Sequence, residues 1–555
     1  MTNKERLIAN NEKIKEIQET LNNKILAVVG GKEIELELPS ELGTATAFYY
    51  VSPTDDKILF STEVATSGVW IYTISTKTWV KAYDNHGEWH VFQQVTDTKW
   101  LIGGGRDSRS YKAGLLLYNA ETDTVTQVYS TSNLWSRFCV IGKKCLIWVI
   151  GSQTGTGKGM LVYDSDDDSC VLAYSRGYSW DIIHSIGNDK TLFMGGGNPS
   201  YLVMYNHLTN TLTELLDTGS WRYVHQVNDT KYLLSNDSYT NGIYVYDSEN
   251  DSCIQIYIDG NKWKYFQNVG NKCLISSDTS TYAGILVYNS VDNTCVKVYD
   301  TYHRWKYFHV INNKCLMSSN QSGSELLLYN SETDSITQLY GGSSWVNSQV
   351  IDNVCLISSD KSSPQGLFRY NSEDDSFVQV YDSGYCWRYF QVINNKCLIS
   401  GSNSSPGGIL VYNTENDSCT RIFTIGFGWS YFINIGTTWL ISGNSSGGLY
   451  KYNPEDDSVV STDISGYAWG YVQKVSDTKY LIVSVANGGG VVLFNSTNDM
   501  ATIPFEKGYG YDKFTHDTDN NYYISGTNKT TAPYTLYYTE ATDSITVKKY
   551  YLGEI

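Results

Sequence analysis

Three histidines recur at one position of a repeating pattern and are candidate metal ligands. His184, His225 and His309 each follow a tryptophan by four residues, and neutral imidazole is a common ligand of Zn²⁺. Other repeats carry glutamine at that position: Gln267, Gln349, Gln391 and Gln473. Because glutamine replaces histidine there, we interpret the three histidines as polar strand residues. The sequence predicts neither a metal site nor a cofactor.

Aromatic side chains form a second candidate set, because large rigid rings are typical of recognition surfaces. Trp263, Trp305 and Trp387 are each followed by Lys or Arg and then by Tyr, and they are candidate ligand-binding residues. The alternative is that a repeated tryptophan fills the space between neighbouring units. Loop tyrosines are the other predicted ligand contacts: Tyr178, Tyr282, Tyr302, Tyr385, Tyr467 and Tyr509.

Carboxylates cluster in short segments such as SETD (331–334), SEDD (372–375) and PEDD (454–457). Asp and Asn favour tight turns, so we interpret these segments as hairpin turns. A calcium loop needs several oxygens at fixed spacing, and none of the segments has the spacing of an EF-hand. The chain also lacks a G-x-S-x-G elbow, an H-E-x-x-H helix and a P-loop. We therefore expect no catalytic residues and no enzyme.

These candidates are positioned by a repeat. One aromatic recurs from Trp89 to Tyr511 in ten intervals, a mean spacing of about 42 residues, and Phe48 marks one earlier unit, which makes twelve. The unit that begins at Trp387 contains four strand-like runs, WRYFQVI, KCLIS, GILVYN and SCTRIFTI, separated by short turns. A lone four-stranded sheet cannot cover both of its faces, so the units must stack. This period predicts an all-β fold of the β-propeller type.

Two units resemble kelch repeats. LIGGGRDSRSYKAGLLLYNAETDTVTQVY (101–129) and LFMGGGNPSYLVMYNHLTNTLTELL (192–216) share a glycine cluster and a Tyr-Asn pair, although other units replace the glycines by Ser-Ser. The resemblance implies a kelch-like propeller. Propeller rings hold four to eight blades, which favours two six-bladed rings at 43–300 and 301–555. One large ring is the alternative, because the connection at 300–304 is as short as the others.

The N-terminal segment is the one helical pattern. We predict a helix within residues 1–25, followed by a linker strand over 26–42. Its apolar residues follow a heptad seam: Leu7, Ile14, Ile17 and Leu21. Such a seam favours oligomerisation, with a trimer preferred, or docking on another protein; the alternative is a helix that lies on the propeller.

Asn3 to Lys24 resembles the N-terminal anchors of tail-fibre and baseplate proteins of phages and phage-tail-like particles. The resemblance implies a virion protein that is made in a host cytoplasm and is attached to a tail or baseplate protein by its N-terminus.

Composition excludes several classes of partner. The net charge of −17 disfavours nucleic acid, and no apolar run is long enough to insert in a membrane. The N-terminus lacks the apolar core of a secretion signal. Cysteines recur at two strand positions, for example Cys273 and Cys295, and we expect reduced thiols in the core.

The two ends of the predicted blades differ. Loops such as SSDTSTYAG (276–284) and GSNSSPGG (401–408) carry the Ser, Gly, Asn and Tyr that recognition loops use, whereas the hairpin turns are acidic. The combined pattern predicts a tail-fibre or receptor-binding protein that recognises host cell-surface glycan. The alternatives are a glycan depolymerase on a propeller scaffold and an intracellular kelch-like interaction scaffold.

Overall fold

The structure is a computed structural model of the 555-residue chain. It describes residues 24–29, 32–39, 48–54, 56–62, 68–84, 89–104, 114–130, 135–149, 159–175, 180–187, 189–195, 201–217, 219, 221–236, 242–259, 261–277, 284–300, 303–319, 325–341, 345–359, 366–383, 387–401, 408–424, 429–443, 448–462, 464, 469–484, 490–498, 500–505, 513–516, 521–525, 535–540 and 542–548.

Twelve four-stranded antiparallel sheets follow one another along the chain, after a two-stranded hairpin. The hairpin consists of β1 (Lys24–Val29) and β2 (Lys32–Glu37). Blades 1 to 4 comprise β3 (Phe48–Thr54), β4 (Lys57–Thr62), β5 (Val69–Thr73), β6 (Thr78–Tyr83), β7 (Trp89–Gln94), β8 (Lys99–Gly104), β9 (Gly114–Asn119), β10 (Thr124–Ser130), β11 (Trp135–Ile141), β12 (Lys144–Val149), β13 (Met160–Asp164), β14 (Cys170–Tyr174), β15 (Trp180–Ile186), β16 (Lys190–Gly195), β17 (Leu202–Asn206) and β18 (Thr211–Leu216). Blades 5 to 8 comprise β19 (Trp221–Gln226), β20 (Lys231–Asn236), β21 (Ile243–Asp247), β22 (Ser252–Tyr257), β23 (Trp263–Val269), β24 (Lys272–Ser277), β25 (Gly284–Asn289), β26 (Thr294–Asp300), β27 (Tyr307–Ile311), β28 (Lys314–Ser318), β29 (Leu326–Asn330), β30 (Ser335–Tyr340), β31 (Trp345–Ile351), β32 (Val354–Ser359), β33 (Leu367–Asn371) and β34 (Phe377–Tyr381). Blades 9 to 12 comprise β35 (Trp387–Ile393), β36 (Lys396–Gly401), β37 (Ile409–Asn413), β38 (Ser418–Phe423), β39 (Trp429–Asn434), β40 (Trp439–Gly443), β41 (Leu449–Asn453), β42 (Ser458–Ser461), β43 (Trp469–Lys474), β44 (Lys479–Ser484), β45 (Val491–Asn495), β46 (Met500–Phe505), β47 (Lys513–His516), β48 (Tyr522–Ser525), β49 (Thr535–Thr539) and β50 (Ser544–Lys548). The prediction of an all-β chain of twelve four-stranded units is confirmed.

Burial differs among the four strands of a blade, and blade 9 is typical. In β36 and β37 almost every residue is buried, because neighbouring blades cover both faces of the sheet. In β38 exposed and half-buried residues alternate instead. This explains why the second and third strands are continuous apolar runs, whereas the fourth strand is mixed.

Neighbouring blades are joined by apolar clusters, most of which contain the recurring tryptophan. Between blades 6 and 7, for example, Leu274 and Val287 pack with Trp305, Met317 and Tyr329. Burying an aliphatic or aromatic side chain of this kind contributes roughly 1.5–3 kcal/mol. The stack of blades is therefore held together mainly by apolar contact.

Cysteines belong to the same clusters. The ten described cysteines are free thiols. The position represented by Cys273 is buried in every repeat where it occurs, and burial raises the pKa of that thiol. The expectation of buried, reduced core thiols agrees with this arrangement.

The predicted linker strand over 26–42 is a hairpin instead. Lys24 and Ile25 pair with Glu37 and Leu36 in β1 and β2, so these two residues are strand and not the end of the predicted helix. Residues 1–23 lie outside the described part of the chain, and the helix stays a prediction. Among the described residues, there is no helix that is long and apolar enough to cross a membrane.

The hairpin covers one face of blade 1. Leu36 packs with Ile58 and Tyr72, and Leu38 packs with Phe60 and Trp70. In blade 2, the equivalent face carries Ile102, Leu116 and Tyr118, which pack on blade 1. The hairpin therefore occupies the place that a preceding blade has elsewhere.

No change in packing marks the predicted ring boundary at residues 300 and 301. The buried residues of the cluster between blades 6 and 7 match those of the cluster between blades 5 and 6 in type, except that Met317 replaces Ile275. The fourth strands β26 and β30 also approach within 8 Å, as β22 and β26 do. The division into two rings stays a prediction, and the described contacts run continuously across it.

A split of the chain at residue 300 tests this continuity. Because the fragment 301–555 would expose the side chains that Leu274, Ile285 and Val287 cover, we expect it to be insoluble alone and to be rescued by co-expression with 1–300. The measurement is solubility and co-purification of the two fragments. Two independently soluble, non-associating fragments would instead support separate six-bladed rings.

Candidate functional site

A β-bulge follows the recurring tryptophan in the first strand of most blades; blade 7 is an exception, because its first strand begins at Tyr307, after Trp305. The strand register shifts between Trp221 and Tyr223, between Trp263 and Tyr265, and between Trp387 and Tyr389. Tryptophan points into the core, and a bulge re-aims the residue that follows it. That position holds Arg222, Lys264 and Arg388.

The first strands of blades 4 to 7 line an open groove with a cavity of about 510 Å³. Three cations from successive blades, Arg222, Lys264 and Lys306, lie along it. The remaining lining residues are apolar, aromatic or neutral polar: Ile182, His184, Tyr223, Val224, His225, Tyr265, Phe266, Gln267 and Phe308. We call this surface the first-strand groove.

The two lysines of the groove lie over tyrosine rings. The ammonium of Lys264 lies 5.9 Å from the ring centroid of Tyr223 in the preceding blade and 5.5 Å from that of Tyr265. The ammonium of Lys306 lies 5.7 Å from the ring of Tyr307. Such contacts hold a flexible lysine in place by about 0.5–1 kcal/mol at exposed sites. The groove thus presents positioned positive charge beside aromatic rings.

The recurring histidines connect adjacent first strands. His225 Nε2 lies 2.9 Å from Asn268 Oδ1 in the next blade, and its ring stacks on Phe266 at 5.5 Å. His309 Nε2 lies 2.5 Å from Ser348 Oγ of the next blade. Burial lowers the pKa of His225 and of His309, so both rings are neutral at pH 7. This agrees with their interpretation as polar strand residues, and no cluster of metal-binding side chains occurs among the described residues.

A smaller cavity repeats the pattern in blades 9 to 11. It has a volume of about 350 Å³, and its lining includes Arg388, Tyr389, Gln391 and Tyr431. The same repeat positions therefore form a groove at two places along the array.

The predicted ligand-binding tryptophans do not reach the groove surface. Trp263 and Trp305 are 0% exposed and Trp387 is 1% exposed, so their rings cannot stack on a ligand in this structure. The packing alternative explains them, because each fills the space between two blades. The predicted loop tyrosines all lie outside the described residues: Tyr178, Tyr282, Tyr302, Tyr385, Tyr467 and Tyr509. The same holds for the N-terminal positions Leu7, Ile14, Ile17 and Leu21.

The residue that sequence reasoning missed is the one after each tryptophan. The Trp-Arg-Tyr and Trp-Lys-Tyr runs already place a cation at this position. The alternation of apolar and polar residues along a strand, however, does not show that a bulge follows the buried tryptophan.

The acidic turns at the other end of the blades have a structural role. The last residue of each turn has a positive φ, as in Asp375 (φ 57°), which favours Asp and Asn. Asp375 Oδ1 accepts a hydrogen bond from Tyr370 at 2.6 Å and another from Lys314 of the preceding blade at 2.6 Å. Lys314 also donates to the carbonyl of Ser372 at 2.9 Å. We call this arrangement the interblade ladder.

The ladder repeats along the array. Its cation–acceptor pairs are Lys57–Asp123, Lys99–Asp168, Lys190–Asp251, Lys231–Asn293, Lys272–Asp334, Lys314–Asp375, Lys396–Asp457 and Lys479–Asp543. In blade 8 the lysine position holds Val354, and Arg369 from the third strand pairs with Asp417 in its place. In these turns the aspartate at the last position is therefore bound to a cation of the preceding blade and, as in Asp375, to a tyrosine of its own blade.

Two of the three ladder residues are replaced at one interface, where the aspartate position still holds Asp499 in the sequence. At the interface between blades 10 and 11, Thr438 replaces the lysine and Phe494 replaces the tyrosine. At the ends of the array, Lys77 stands at the aspartate position of blade 1 and Asn521 at the lysine position of blade 12. A ladder contact from blade 12 to blade 1 would therefore lack both of its charged partners.

Comparisons with known proteins were weak. No protein-family model matches the chain, and no curated protein matches it in sequence. Among solved structures, the tricorn protease is similar at 11% identity with a TM-score of 0.28, over 91% of this chain and 63% of that chain. The extracellular domain of a putative one-component system from B. thetaiotaomicron is similar at 10% identity with a TM-score of 0.25, over 96% of this chain and 79% of that chain. A computationally designed protein is similar at 9% identity with a TM-score of 0.26, over 68% of this chain and 96% of that chain. This chain thus spans less than two thirds of the tricorn protease chain. The fold assignment depends on the twelve four-stranded sheets of the chain itself.

Substitution of Lys314 by methionine tests the ladder. The change removes two hydrogen bonds from a buried ammonium, and we expect a loss of about 1–2 kcal/mol in the free energy of unfolding, because Asp375 is half-exposed and its pairing is partly screened. Denaturant titration measures it. Lys143→Met is the matched control, since the Lys143–Asp166 pair is exposed on both sides, and we expect no measurable change from it.

The ladder also predicts an acid-dependent loss of stability. Hydrogen bonds from Lys314 and Tyr370 lower the pKa of Asp375; its stabilising contribution is present above the unfolded value of about 3.9 and is lost as pH falls through the folded pKa. The Lys314→Met variant should therefore lose less stability than the parent between pH 5 and about 3. Equal losses in the two proteins would exclude this role of Asp375.

Proposed function

We propose that the protein is a receptor-binding protein of a phage tail or phage-tail-like particle, and that its blades recognise cell-surface glycan. The observation that carries the proposal is the first-strand groove. It is open, it extends over four successive blades, and it combines aromatic rings with hydrogen-bond donors. Aromatic and polar side chains on a rigid scaffold are typical of recognition surfaces.

The lining residues favour binding over cleavage. A glycan depolymerase needs two carboxylates roughly 5–10 Å apart in its cleft. The described linings of the larger and the smaller cavity contain neither aspartate nor glutamate. The carboxylates of the described turns lie at the other end of the blades, where the ladder uses them.

The attachment role is supported by the N-terminal segment. Asn3 to Lys24 resembles a tail-fibre anchor, and its heptad seam favours a trimer. Several grooves on one particle would strengthen weak glycan contacts through avidity.

An intracellular scaffold that binds acidic peptides is a second candidate, and one observation favours it. Arg222, Lys264 and Lys306 make the groove basic, which is the kind of patch that a peptide-binding propeller uses. This candidate differs from the first in the oligomeric state, since it requires a monomer.

Mass in solution distinguishes the two candidates. We expect the full chain to be a trimer and a chain that starts at Lys24 to be a monomer, because the truncation removes the heptad seam but keeps the hairpin that covers blade 1. Light scattering measures both masses. If both proteins are monomers, attachment through a self-associating helix is wrong and the scaffold candidate gains.

Binding to bacterial surface polysaccharides tests the groove. On an array of such glycans, we expect Tyr265→Ala to weaken binding about 10-fold, since loss of one well-placed aromatic contact costs about 1–3 kcal/mol. Tyr471→Ala is the matched control, because Tyr471 has the same place in its blade but lies outside both cavity linings. Equal losses for both variants, or no glycan bound by the parent, would contradict the proposal.

A further inference from the structure

The cations of the first-strand groove are not required by the fold. In other repeats, the position after the tryptophan holds His90, Ser136, Asp181, Val346, Ser430 or Gly470. The bulge is present in those blades as well. A position that accepts glycine, valine and aspartate does not need positive charge for folding, so the cations of blades 5 to 7 need another explanation.

Their charge stands out against the rest of the molecule. The chain carries a net charge of −17, yet the groove lining holds three cations, two histidines and no carboxylate among its described residues. Positive charge that is arranged in this way attracts an anion to the groove.

The spacing of the cations points to a linear ligand. Arg222, Lys264 and Lys306 come from three consecutive blades, and packed sheets lie roughly 10 Å apart. That distance is about one Debye length at 0.1 M salt, so each cation acts on a nearby anionic group. A polymer with regularly spaced charges would contact all three cations, whereas a single small anion would contact one.

We infer that the first-strand groove of blades 4 to 7 binds an acidic glycopolymer, whose phosphate or carboxylate groups pair with Arg222, Lys264 and Lys306 and whose sugar or polyol units lie against Tyr223, Tyr265 and Phe266. The inference rests on the proposed glycan-binding function and specifies its ligand. Lysine held over tyrosine places each charge beside an aromatic surface, which suits a chain of alternating anionic and neutral units.

The test measures binding of the full chain to four polymers by calorimetry: poly(glycerol phosphate), a polyuronate, neutral dextran and single-stranded DNA. We expect one of the two acidic glycopolymers to bind best, and its affinity to fall at least 10-fold between 50 and 300 mM NaCl because screening weakens the ion pairs. Preference for the phosphate polymer or for the polyuronate identifies which anionic group the groove takes.

A pair of matched variants locates the site. Lys264→Gln with Lys306→Gln should lower the affinity for the acidic polymer at least 10-fold and reduce its salt dependence. Lys143→Gln with Lys474→Gln changes the net charge equally at exposed sites and should leave the affinity within about twofold. Melting temperatures of both variants should match the parent, since the bulge position tolerates uncharged residues.

Each contrary outcome has a distinct meaning. If dextran binds as well as the acidic polymers and the groove variant is unchanged, the acidic ligand is wrong while glycan binding stands. If none of the three glycopolymers binds, the proposed function and this inference both fail. Tighter binding of DNA than of either acidic glycopolymer would overturn the inference in favour of a nucleic-acid ligand.

Discussion

Each blade is a four-stranded sheet with two apolar faces, and both faces have to be covered. The second and third strands of blade 9 are buried along nearly their whole length, so no blade is stable by itself. Tryptophans such as Trp305 fill the space between neighbours, together with the leucines and tyrosines of both sheets. The length of the chain, the regular period and the short connections all follow from this requirement. So does the hairpin of β1 and β2, which covers the one face of blade 1 that has no preceding blade.

Apolar packing alone does not select the relative position of two sheets, because such contacts are non-directional. The interblade ladder adds direction. A lysine of one blade reaches the turn of the next, where an aspartate at positive φ also accepts a hydrogen bond from tyrosine. A buried ammonium or hydroxyl without a partner is costly. Where Val354 has replaced the lysine, Arg369 pairs with Asp417 in its place, so this carboxylate keeps a cationic partner.

The two ends of the blades consequently carry different kinds of positive charge. Ladder lysines are bound by the turns and stabilise the array. Each cation of the first-strand groove directly follows a buried tryptophan, at a bulge in the case of Arg222 and Lys264. Other repeats hold histidine, serine, aspartate, valine or glycine at this position. Function can change at such a position without loss of stability, since the tryptophan before it already makes the structural contact. At this position blades 5 to 7 carry cations, whereas the neighbouring blades 4 and 8 carry Asp181 and Val346.

The sequence by itself determined the strand content, the twelve units and the boundaries of most blades, because a period of about 42 residues with four apolar runs fits few other folds. It also indicated buried thiols and histidines that are polar residues of the first strands, since substitution among repeats reveals what a position tolerates. Only the tertiary structure decided three further points. It placed Trp263, Trp305 and Trp387 in the core and the half-buried Lys264 and Lys306 in the groove lining instead, because the alternation of apolar and polar residues does not show which of two neighbouring side chains reaches the surface. It joined Lys314 to Asp375, which are 61 residues apart. It also showed that the predicted linker strand is a hairpin that covers an apolar face of blade 1. The need to cover this face can be recognised only once the stacking of the blades is known.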